Sequence, residues 1–180
     1  TGTNYWKESQ TAVKMQQEFC KNHGHPDGMF GITACSSEKH TGNYEAYRPV
    51  GDEDFCPYSV DDEHLPKEER GKFGDRDDGT IAPPAVLACL PFDKDGVKKA
   101  YNYLKEKNLV LDDKNNGICN AYNDKTGWKA PDQLAIDLGS MLLMLDKYHS
   151  GTIQKLINKN EIIQKIMQRA GFKPDPSITK

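Results

Sequence analysis

The sequence has no apolar run long enough to span a membrane, no paired cysteines and no stripe of basic residues. Its most apolar stretch is shorter than the roughly 20 residues that cross a bilayer, and it contains Asp137 and Asp146. The net charge of -3, with Lys and Arg scattered along the chain, argues against a nucleic-acid surface. We therefore predict neither a membrane nor a nucleic acid as a partner, which leaves sugars, peptides and small molecules.

Five cysteines form no CxxC pair, and they are too sparse for a disulfide framework. Cys20, His23 and His25 could in principle bind a metal, but without a second ligand pair they are better interpreted as part of a polar loop. Most of the cysteines are therefore expected to be small buried hydrophobic residues. We predict neither a metal site nor a cofactor.

The chain begins without an initiator methionine, an apolar signal segment or a transit pattern, so we expect it to be processed, truncated or cut from something longer. Its 180 residues suffice for one hydrophobic core but are short for two domains. With 36% hydrophobic and 28% charged residues, its composition is that of a globular protein. We therefore treat residues 1–180 as one domain, or as a part of one.

The most informative stretch is residues 128–148, WKAPDQLAIDLGSMLLMLDKY. Its apolar residues leave almost no polar face, which predicts a helix that starts near residues 131–132 and is buried on most sides. Asp137 shares one stripe of that helix with Met141 and Met144. A buried carboxylate must be paired, hydrogen-bonded, protonated or in a wet cavity, so both a structural and a catalytic role fit Asp137.

Apolar periodicity predicts further helices at residues 5–22, 85–90, 93–108, 151–159 and 160–170, and an extended buried segment at residues 29–37. No period is found in residues 36–79, and residues 173–180 form a tail. A region of that length is a disordered segment, a cleavage-prone linker or a long functional loop. Its aromatic residues favour function, and we expect residues 44–73 to be ordered over the mouth of a cleft.

Two local patterns in the chain suggest ligands. Asp75, Asp77 and Asp78 before Gly79 resemble the front of a calcium loop, but Ala85 stands where such a loop needs Glu, so that pattern is weak. Amides and aromatics alternate in GICNAYND and continue to the Trp that follows. Carbohydrate clefts use aromatic faces for sugar rings and amides for hydroxyls, although amides are also common in turns.

Six motifs, in this order, resemble the C-terminal part of the glycoamylase-like domain family: MFGITACSS, GNYEAYR, DDGTIAPPAVLACLPF, GICNAYND, WKAPDQLAIDLGSMLLMLDKYHSG and NEIIQKIMQRAGF. The resemblance covers residues 6–172. That family includes bacterial endo-β-1,2-glucanases, the transglycosylating domain of cyclic β-1,2-glucan synthases and many proteins named as glucoamylases. Its fold is an α/α toroid of six helical hairpins. The resemblance therefore implies an all-α fold that is about half of such a toroid, the C-terminal half, with a long irregular loop region.

The sequence departs from the family pattern at several positions. Asn120 stands where the family usually has Asp, Leu138 and Ser140 replace Gln and Pro, and Asp146 replaces an expected Glu, whereas Asp137 is retained. An Asn cannot act as a general acid or base. If that role belongs to the position of Asn120 in relatives, the reaction here is altered or lost.

The resemblance implies a glycoside hydrolase acting on β-linked glucan, most like an endo-β-1,2-glucanase, in the periplasm or secreted. Its site would consist of Asp137 as the catalytic acid or base, with Tyr44, Asp78, Asn120, Asn123 and Trp128 lining the sugar subsites. The second carboxyl group is expected in the absent N-terminal half. The expected partners are a glucan oligosaccharide or polysaccharide, and either that missing half or a second copy of this chain.

Three other interpretations stay open. One is a transglycosylase on β-1,2-glucan. Another is a non-catalytic carbohydrate-binding or structural remnant, which Asn120 and the missing half favour. The third is a helical interaction scaffold without a ligand, which is favoured only if the aromatics of residues 44–58 are buried in a core.

Overall fold

The computed structural model describes residues 3–36, 38, 44–45, 79–110 and 117–173, with the backbone alone for residues 44–45. The described residues are mainly helical, as predicted. The helices are α1 (Tyr5–Asn22), α2 (Pro83–Ala88), α3 (Lys94–Glu106), α4 (Ala135–His149), α5 (Thr152–Lys159) and α6 (Glu161–Arg169). Each corresponds to a helix predicted from the sequence, with ends that differ by a few residues.

Short antiparallel strands hold the segments between the helices. The strands are β1 (Cys35–Ser36), β2 (Tyr44–Glu45), β3 (Thr80–Ile81), β4 (Tyr122–Asn123) and β5 (Trp128–Lys129). β1 pairs with β2, whereas β3, β4 and β5 form a small sheet in that order. Of the extended buried segment predicted at residues 29–37, Cys35 and Ser36 form β1, and Met29 and Phe30 are buried as expected; residue 37 lies outside the described residues. These strands are too short to change the all-α class.

Helix α1 is fixed at its start by a cap and along one side by packing. The Asn4 side chain accepts a hydrogen bond from the Lys7 amide at 3.1 Å, which satisfies one amide of the first turn. Val13 and Cys20, two turns apart, are buried in the core. The Gln17 amide donates to Asp93, the residue that caps α3, at 2.6 Å. This bond ties α1 to the start of α3.

Helix α3 supplies the most buried side of the fold. Val97, Ala100 and Leu104 recur at helical spacing and are each almost completely buried. They belong to the main core, whose other members include Met29, Phe30, Ile81, Val86, Leu109, Ile118 and Tyr122. The core therefore lies between α1, α2, α3 and one side of α4, together with the segments that precede β1 and β4.

Gly31 is required where the segment after α1 passes α2. Its φ of +112° is a conformation that residues with side chains rarely adopt. A Cβ atom at this position would lie 2.7 Å from Val86 Cγ2, so any side chain would clash with α2. The Gly31 carbonyl accepts a hydrogen bond from the Ala82 amide at 2.9 Å, which joins this segment to the start of α2.

Helix α4 differs from its prediction in both start and burial. It begins at Ala135 rather than near residues 131–132, because Asp132 is engaged by Ser36 in a loop and Leu134 is still extended. The prediction that it is buried on most sides is wrong. Met141 is its buried residue, and among its large apolar side chains Ile136 is 67% exposed and Leu143 50% exposed. In the described structure α4 packs against α2 on one side and α5 at its end, which covers a single face.

Helices α5 and α6 both have side-chain caps at their N-termini, but neither helix contains a buried residue. The Asp146 carboxylate accepts hydrogen bonds from the amides of Thr152 and Ile153, at 3.3 and 3.0 Å. The Asn160 side chain likewise accepts from the first amides of α6. Beyond α6, the ring of Phe172 lies 5.6 Å from that of Tyr5, so the end of the described chain returns to α1.

Two of the cysteines fulfil the prediction of small buried residues. Cys20 and Cys35 are buried, and Cys89 and Cys119 are partly buried. Burial raises the pKa of the Cys89 thiol to about 11, with a smaller contribution from the nearby Asp93 carboxylate. Cys56 lies outside the described residues. Within the described part of the chain, none of the helices is long and apolar enough to cross a membrane.

Candidate functional site

The β4–β5 hairpin is organised by Asn123. Its side-chain oxygen accepts hydrogen bonds from the amides of Lys125 at 3.0 Å and Thr126 at 3.4 Å, which closes the turn between the strands. Its amide nitrogen donates to the Thr80 hydroxyl of β3 at 3.3 Å. Asn123 is 2% exposed. These contacts give it a structural role in joining the three strands, and its assignment as a sugar ligand stays a prediction.

Asn120 begins a hydrogen-bonded chain that links three distant segments. Its amide nitrogen donates to the Ser36 hydroxyl at 3.3 Å, and that hydroxyl donates to the Asp132 carboxylate at 3.1 Å. Asn120 is 1% exposed, and its side-chain oxygen has no hydrogen-bond partner among the residues that the structure describes. A direct contact between Asn120 and a sugar would therefore require the surrounding residues to move.

Trp128 lies at the start of β5, directly opposite Asn123. Its indole packs against the small cluster of Cys35, Ala82 and Ala121, and the side chain is partly exposed. A fixed, partly exposed indole is the kind of surface on which a sugar ring can rest. Of the predicted sugar ligands whose side chains are described, Trp128 is the one with surface available for that contact.

Asp137 lies in the first turn of α4 and is partly buried. It stands one turn before Met141, whose side chain is in the core, and beside Leu138, which packs against the same core. The carboxyl group thus lies at the edge of the packed face of α4, with its Oδ2 atom shielded from solvent. The positive end of the helix dipole favours an ionised carboxylate at this position.

Asp124 forms a second polar cluster on the other side of the β4–β5 hairpin. The hydroxyls of Tyr103 and Tyr122 both donate to one oxygen of its carboxylate, and Lys107 lies 3.4 Å from that same oxygen. Burial raises the pKa of Asp124, but the two tyrosine hydrogen bonds and Lys107 outweigh it, so the pKa is lowered. Burial, together with the same hydrogen bond, raises the pKa of Tyr122 to about 12 and also raises that of Tyr103.

This cluster links α3 to the hairpin. Tyr103 is on α3 and Tyr122 is on β4, so one carboxylate oxygen joins the two elements. The raised pKa values keep both tyrosine hydroxyls protonated as donors to this carboxylate well above neutral pH. The contacts of the cluster, which join α3 to the hairpin, indicate a structural role.

A pocket of about 510 Å³ opens beside the loop that precedes α4. Its described lining consists of Asn108, Leu109, Gly117, Ile118, Cys119, Lys129, Ala130, Pro131, Asp132 and Gln133. Asp137, Asn120, Asn123 and Trp128 are not among these residues. Asp132 connects the pocket to the predicted site, because its carboxylate binds Ser36, which in turn binds Asn120.

The structure does not describe the side chains of two predicted site residues, Tyr44 and Asp78. Asp78 lies outside the described residues, as do Asp75 and Asp77 of the weak calcium-like pattern. The backbone of Tyr44 is described in β2, whereas its side chain is not. The expectation that residues 44–73 cover a cleft likewise falls outside the described chain, apart from β2. Across residues 3–36, 79–110 and 117–173, no group of three or more His, Cys, Asp and Glu could hold a metal ion.

Sequence reasoning missed Ser36 and gave Asp132 a different role, although both belong to the buried hydrogen-bonded chain of Asn120. Ser36 is 84 residues from Asn120 and 96 residues from Asp132. A pattern of neighbouring residues cannot predict a contact between residues so far apart in the sequence. The sequence predicts a helix start near residues 131–132, whereas in the structure the Asp132 carboxylate accepts a hydrogen bond from Ser36 in the loop before α4.

One characterised relative matches almost the whole chain. It is an exo beta-1,2-glucooligosaccharide sophorohydrolase (non-reducing end) from Parabacteroides distasonis, and it is 24% identical over 173 residues. The match covers 93% of this chain and 20% of the relative. The chain thus spans about a fifth of the length of that protein.

Solved structures share the fold. An endo-beta-1,2-glucanase from Chitinophaga pinensis, in complex with sophorotriose and glucose, superposes with a TM-score of 0.70 at 22% identity over 93% of this chain and 35% of its own. A protein from Bacteroides uniformis named "putative glucoamylase" gives a TM-score of 0.72 at 23% identity over 98% of this chain and 37% of its own. In both cases the chain accounts for little more than a third of the solved chain.

These superpositions define the class: the fold is part of the α/α toroid of the glucoamylase-like proteins, as predicted. The family follows from the sequence. The glycoamylase family, described as "Putative glucoamylase", matches residues 1–161, and the chain belongs to that family.

Proposed function

We propose that this chain is part of a glycoside hydrolase that acts on β-linked glucan, with β-1,2-glucan as the substrate class. The observation that carries the proposal is the match of 173 residues to a sophorohydrolase specific for β-1,2-gluco-oligosaccharides. The endo-β-1,2-glucanase solved with sophorotriose supports the same substrate class through its shared fold. A glucan oligosaccharide or polysaccharide is accordingly the proposed ligand.

Hydrolysis of a glycosidic bond requires two carboxyl groups. In an inverting enzyme, one protonates the leaving oxygen while the other activates water, and they are roughly 6.5–9.5 Å apart. In a retaining enzyme, the second carboxylate attacks the sugar at roughly 5–5.5 Å from the first. We assign one of the two roles to Asp137 and place the other carboxyl group in helices outside this chain.

Of the two roles, that of the ionised carboxylate suits Asp137 better. The first turn of α4 favours the charged form of the Asp137 carboxylate through the helix dipole. A general acid needs the opposite environment, one that keeps the proton on the carboxyl group at working pH. Trp128 is assigned as a sugar platform, because its indole is fixed by packing and partly exposed.

The test is product analysis with the natural protein that contains this chain. β-1,2-Glucan is incubated beside β-1,3- and β-1,4-glucans, and reducing ends and product lengths are measured. Shorter β-1,2-linked products with new reducing ends support hydrolysis. Products of greater length without a net gain of reducing ends would instead assign a transglycosylase, and cleavage of the other linkages alone would overturn the substrate class.

The second candidate is a non-catalytic carbohydrate-binding or structural remnant. Asn120 favours it, because an amide occupies a position where the family resemblance implies a carboxylate, and because that amide is buried and bonded to Ser36. Binding of sophorotriose without turnover, measured by titration calorimetry and by the same product analysis, would support this candidate over the hydrolase.

We also propose a periplasmic or secreted location, in line with a polymeric glucan substrate. Cell fractionation with an antibody against residues 1–180 tests it. Recovery of the protein in the cytoplasmic fraction would contradict the location without affecting the proposed chemistry.

A further inference from the structure

A short loop, residues 130–134, joins the sugar platform to the carboxylate assigned to catalysis. It begins after β5, where Trp128 lies, and ends at the start of α4, whose first turn contains Asp137. Its first residue is fixed, because the Ala130 amide donates to the Ala121 carbonyl at 2.9 Å. The distance between the indole and the carboxylate therefore depends on the path of this loop.

Asp132 fixes the middle of the loop to β1. The Ser36 hydroxyl lies 3.2 and 3.1 Å from the two oxygens of the Asp132 carboxylate, and Ser36 is 3% exposed. A hydrogen bond to a charged acceptor is stronger than a neutral one, and it gains strength where water is excluded. At the end of the loop, the amides of Asp137 and Leu138 donate to the Leu134 carbonyl at 3.2 and 3.1 Å. A displacement of Asp132 would therefore move the first turn of α4 with it.

Asn120 determines the direction of the Ser36 hydroxyl. A serine hydroxyl carries one proton and a carboxylate can only accept, so that proton is donated to Asp132. The neighbour on the other side of the hydroxyl must then be a donor. The Asn120 amide is that donor, with its Nδ2 atom 3.3 Å from Ser36 Oγ, and Asn120 is 1% exposed. A carboxylate at position 120 would compete for the same proton and bring a second negative charge to a buried site.

The same residues adjoin the support of the Trp128 indole. That indole packs against Cys35 and Ala121. These two residues directly adjoin Ser36 and Asn120 in the chain. The hydrogen-bonded chain therefore has the residues that support the indole at one end and the loop that leads to α4 at the other.

We propose that Ser36, Asn120 and Asp132 are positioning residues. Their link sets the orientation of Asp137 relative to the Trp128 indole, and it requires an amide at position 120. The effect on catalysis rests on the proposed function, whereas the effect on the start of α4 does not. The link gives the Asn120 amide a role different from that of a lost catalytic acid.

Steady-state kinetics of the natural protein on β-1,2-glucan tests the catalytic effect. Ser36→Ala and Asp132→Ala should each lower kcat by on the order of 10- to 100-fold, because a small displacement of a catalytic group has effects of that size. KM should change less, since the pairing of β5 with β4 still holds Trp128. The double variant should lose little more than the larger single loss, because both changes break one link.

Val97→Ala is the matched control for loss of stability. Val97 is 2% exposed on α3, so its truncation destabilises the fold without touching the link, and kcat should not change. A similar fall in kcat for Val97→Ala, additive losses in the double variant, or unchanged kcat in both single variants would overturn the proposal.

Asn120→Asp separates this proposal from the carbohydrate-binding remnant. If the amide replaces a lost catalytic acid, the carboxylate should create or raise turnover. If the amide is needed as a donor to Ser36, the same variant should lower kcat at neutral pH, as Ser36→Ala does. A gain of turnover would contradict the positioning role.

Amide hydrogen exchange tests the link without reference to turnover. In Ser36→Ala, exchange of the Asp137 and Leu138 amides should be faster while that of α3 stays unchanged, and Val97→Ala should show the reverse. Unchanged exchange at the start of α4 would exclude the link. Absence of glucan cleavage by the unaltered protein would overturn the proposed function instead, and the exchange result would still decide the link.

Discussion

Helix α3 and helices α5 and α6 are all amphipathic, but they end in opposite environments. The apolar side of α3 is in the core, where Leu104 is completely buried, whereas Leu156 on α5 and Ile162 on α6 are mainly exposed. An apolar stripe on a helix therefore predicts a packing surface, but it does not predict whether that surface is covered within the same chain. The apolar residues of α1, α2 and α3 form a buried core, whereas those of α5 and α6 are exposed.

The largest effect is expected at the boundary between these parts. Asp137→Asn should lower the rate on β-1,2-glucan by about 100- to 10,000-fold if Asp137 is the general base, because an amide cannot accept the proton. The melting temperature should stay the same or rise, since a partly buried charge is removed. Both are measured on the natural protein that contains this chain.

The opposite pattern would move Asp137 to a structural role. A variant with near-normal turnover that melts several degrees lower would indicate lost hydrogen bonds, which contribute about 1–3 kcal/mol each when they involve a charged group. Asp146→Asn is the control, because the Asp146 carboxylate already caps α5 and its expected effect is on stability alone.

Two leucine variants test whether α3 and α5 differ in packing. Leu104→Ala should destabilise the 180-residue chain by about 2–5 kcal/mol, because a completely buried side chain leaves a cavity. Leu156→Ala should change its stability by less than about 0.5 kcal/mol, because that side chain is 63% exposed. Urea unfolding of both variants measures this, and equal losses would mean that α5 is packed in the isolated chain.

Ser36→Ala tests the buried link between Asn120 and Asp132. Removing the hydroxyl leaves the Asn120 amide and the Asp132 carboxylate without their shared partner, so we expect a loss of about 1–3 kcal/mol. Ser140→Ala is the matched control, because its hydroxyl binds a carbonyl on the exposed side of α4. A loss at Ser140 as large as at Ser36 would remove the distinction between the two regions.

Asn160→Ala probes the exposed region, where capping rather than packing holds the helix. The Asn160 side chain accepts from the amides of Ile162 and Ile163 at 2.9 and 3.2 Å, so its loss should cost about 1 kcal/mol. Amide hydrogen exchange in α6 should rise while that in α3 stays unchanged. Faster exchange in both helices would mean that they unfold as one unit.

The smallest effect concerns pH. The pKa of Asp124 is lowered in the folded protein, because the hydrogen bonds from Tyr103 and Tyr122 outweigh burial. Its contribution to stability is therefore present above the unfolded pKa of about 3.9 and is lost as the pH falls below that value. Acid unfolding followed by circular dichroism should show a smaller loss below pH of about 4 in Tyr103→Phe than in the unaltered chain. An identical acid transition would exclude this cluster as the cause.

The family and the class of fold could be predicted from the sequence. The helices at residues 5–22, 93–108, 151–159 and 160–170 were found within a few residues, because each has caps and an apolar period that local chemistry sets. The motif order was sufficient for the glycoamylase family, whose match covers residues 1–161. The site was less predictable: Asp137 and Trp128 are placed on partly exposed positions, whereas Asn120 and Asn123 are buried.

Where helices form, and which of their sides are apolar, depends on residues a few positions apart and can therefore be read from the sequence. Which apolar sides are covered depends on the packing of the whole chain: on α4, Leu138 and Met141 pack into the core, whereas Ile136 and Leu143 are exposed. The tertiary structure also decides the partners of Asn120, because Ser36 and Asp132 reach it from distant segments. Contacts of that kind depend on how the whole chain folds, and periodicity along a single segment carries no information about them.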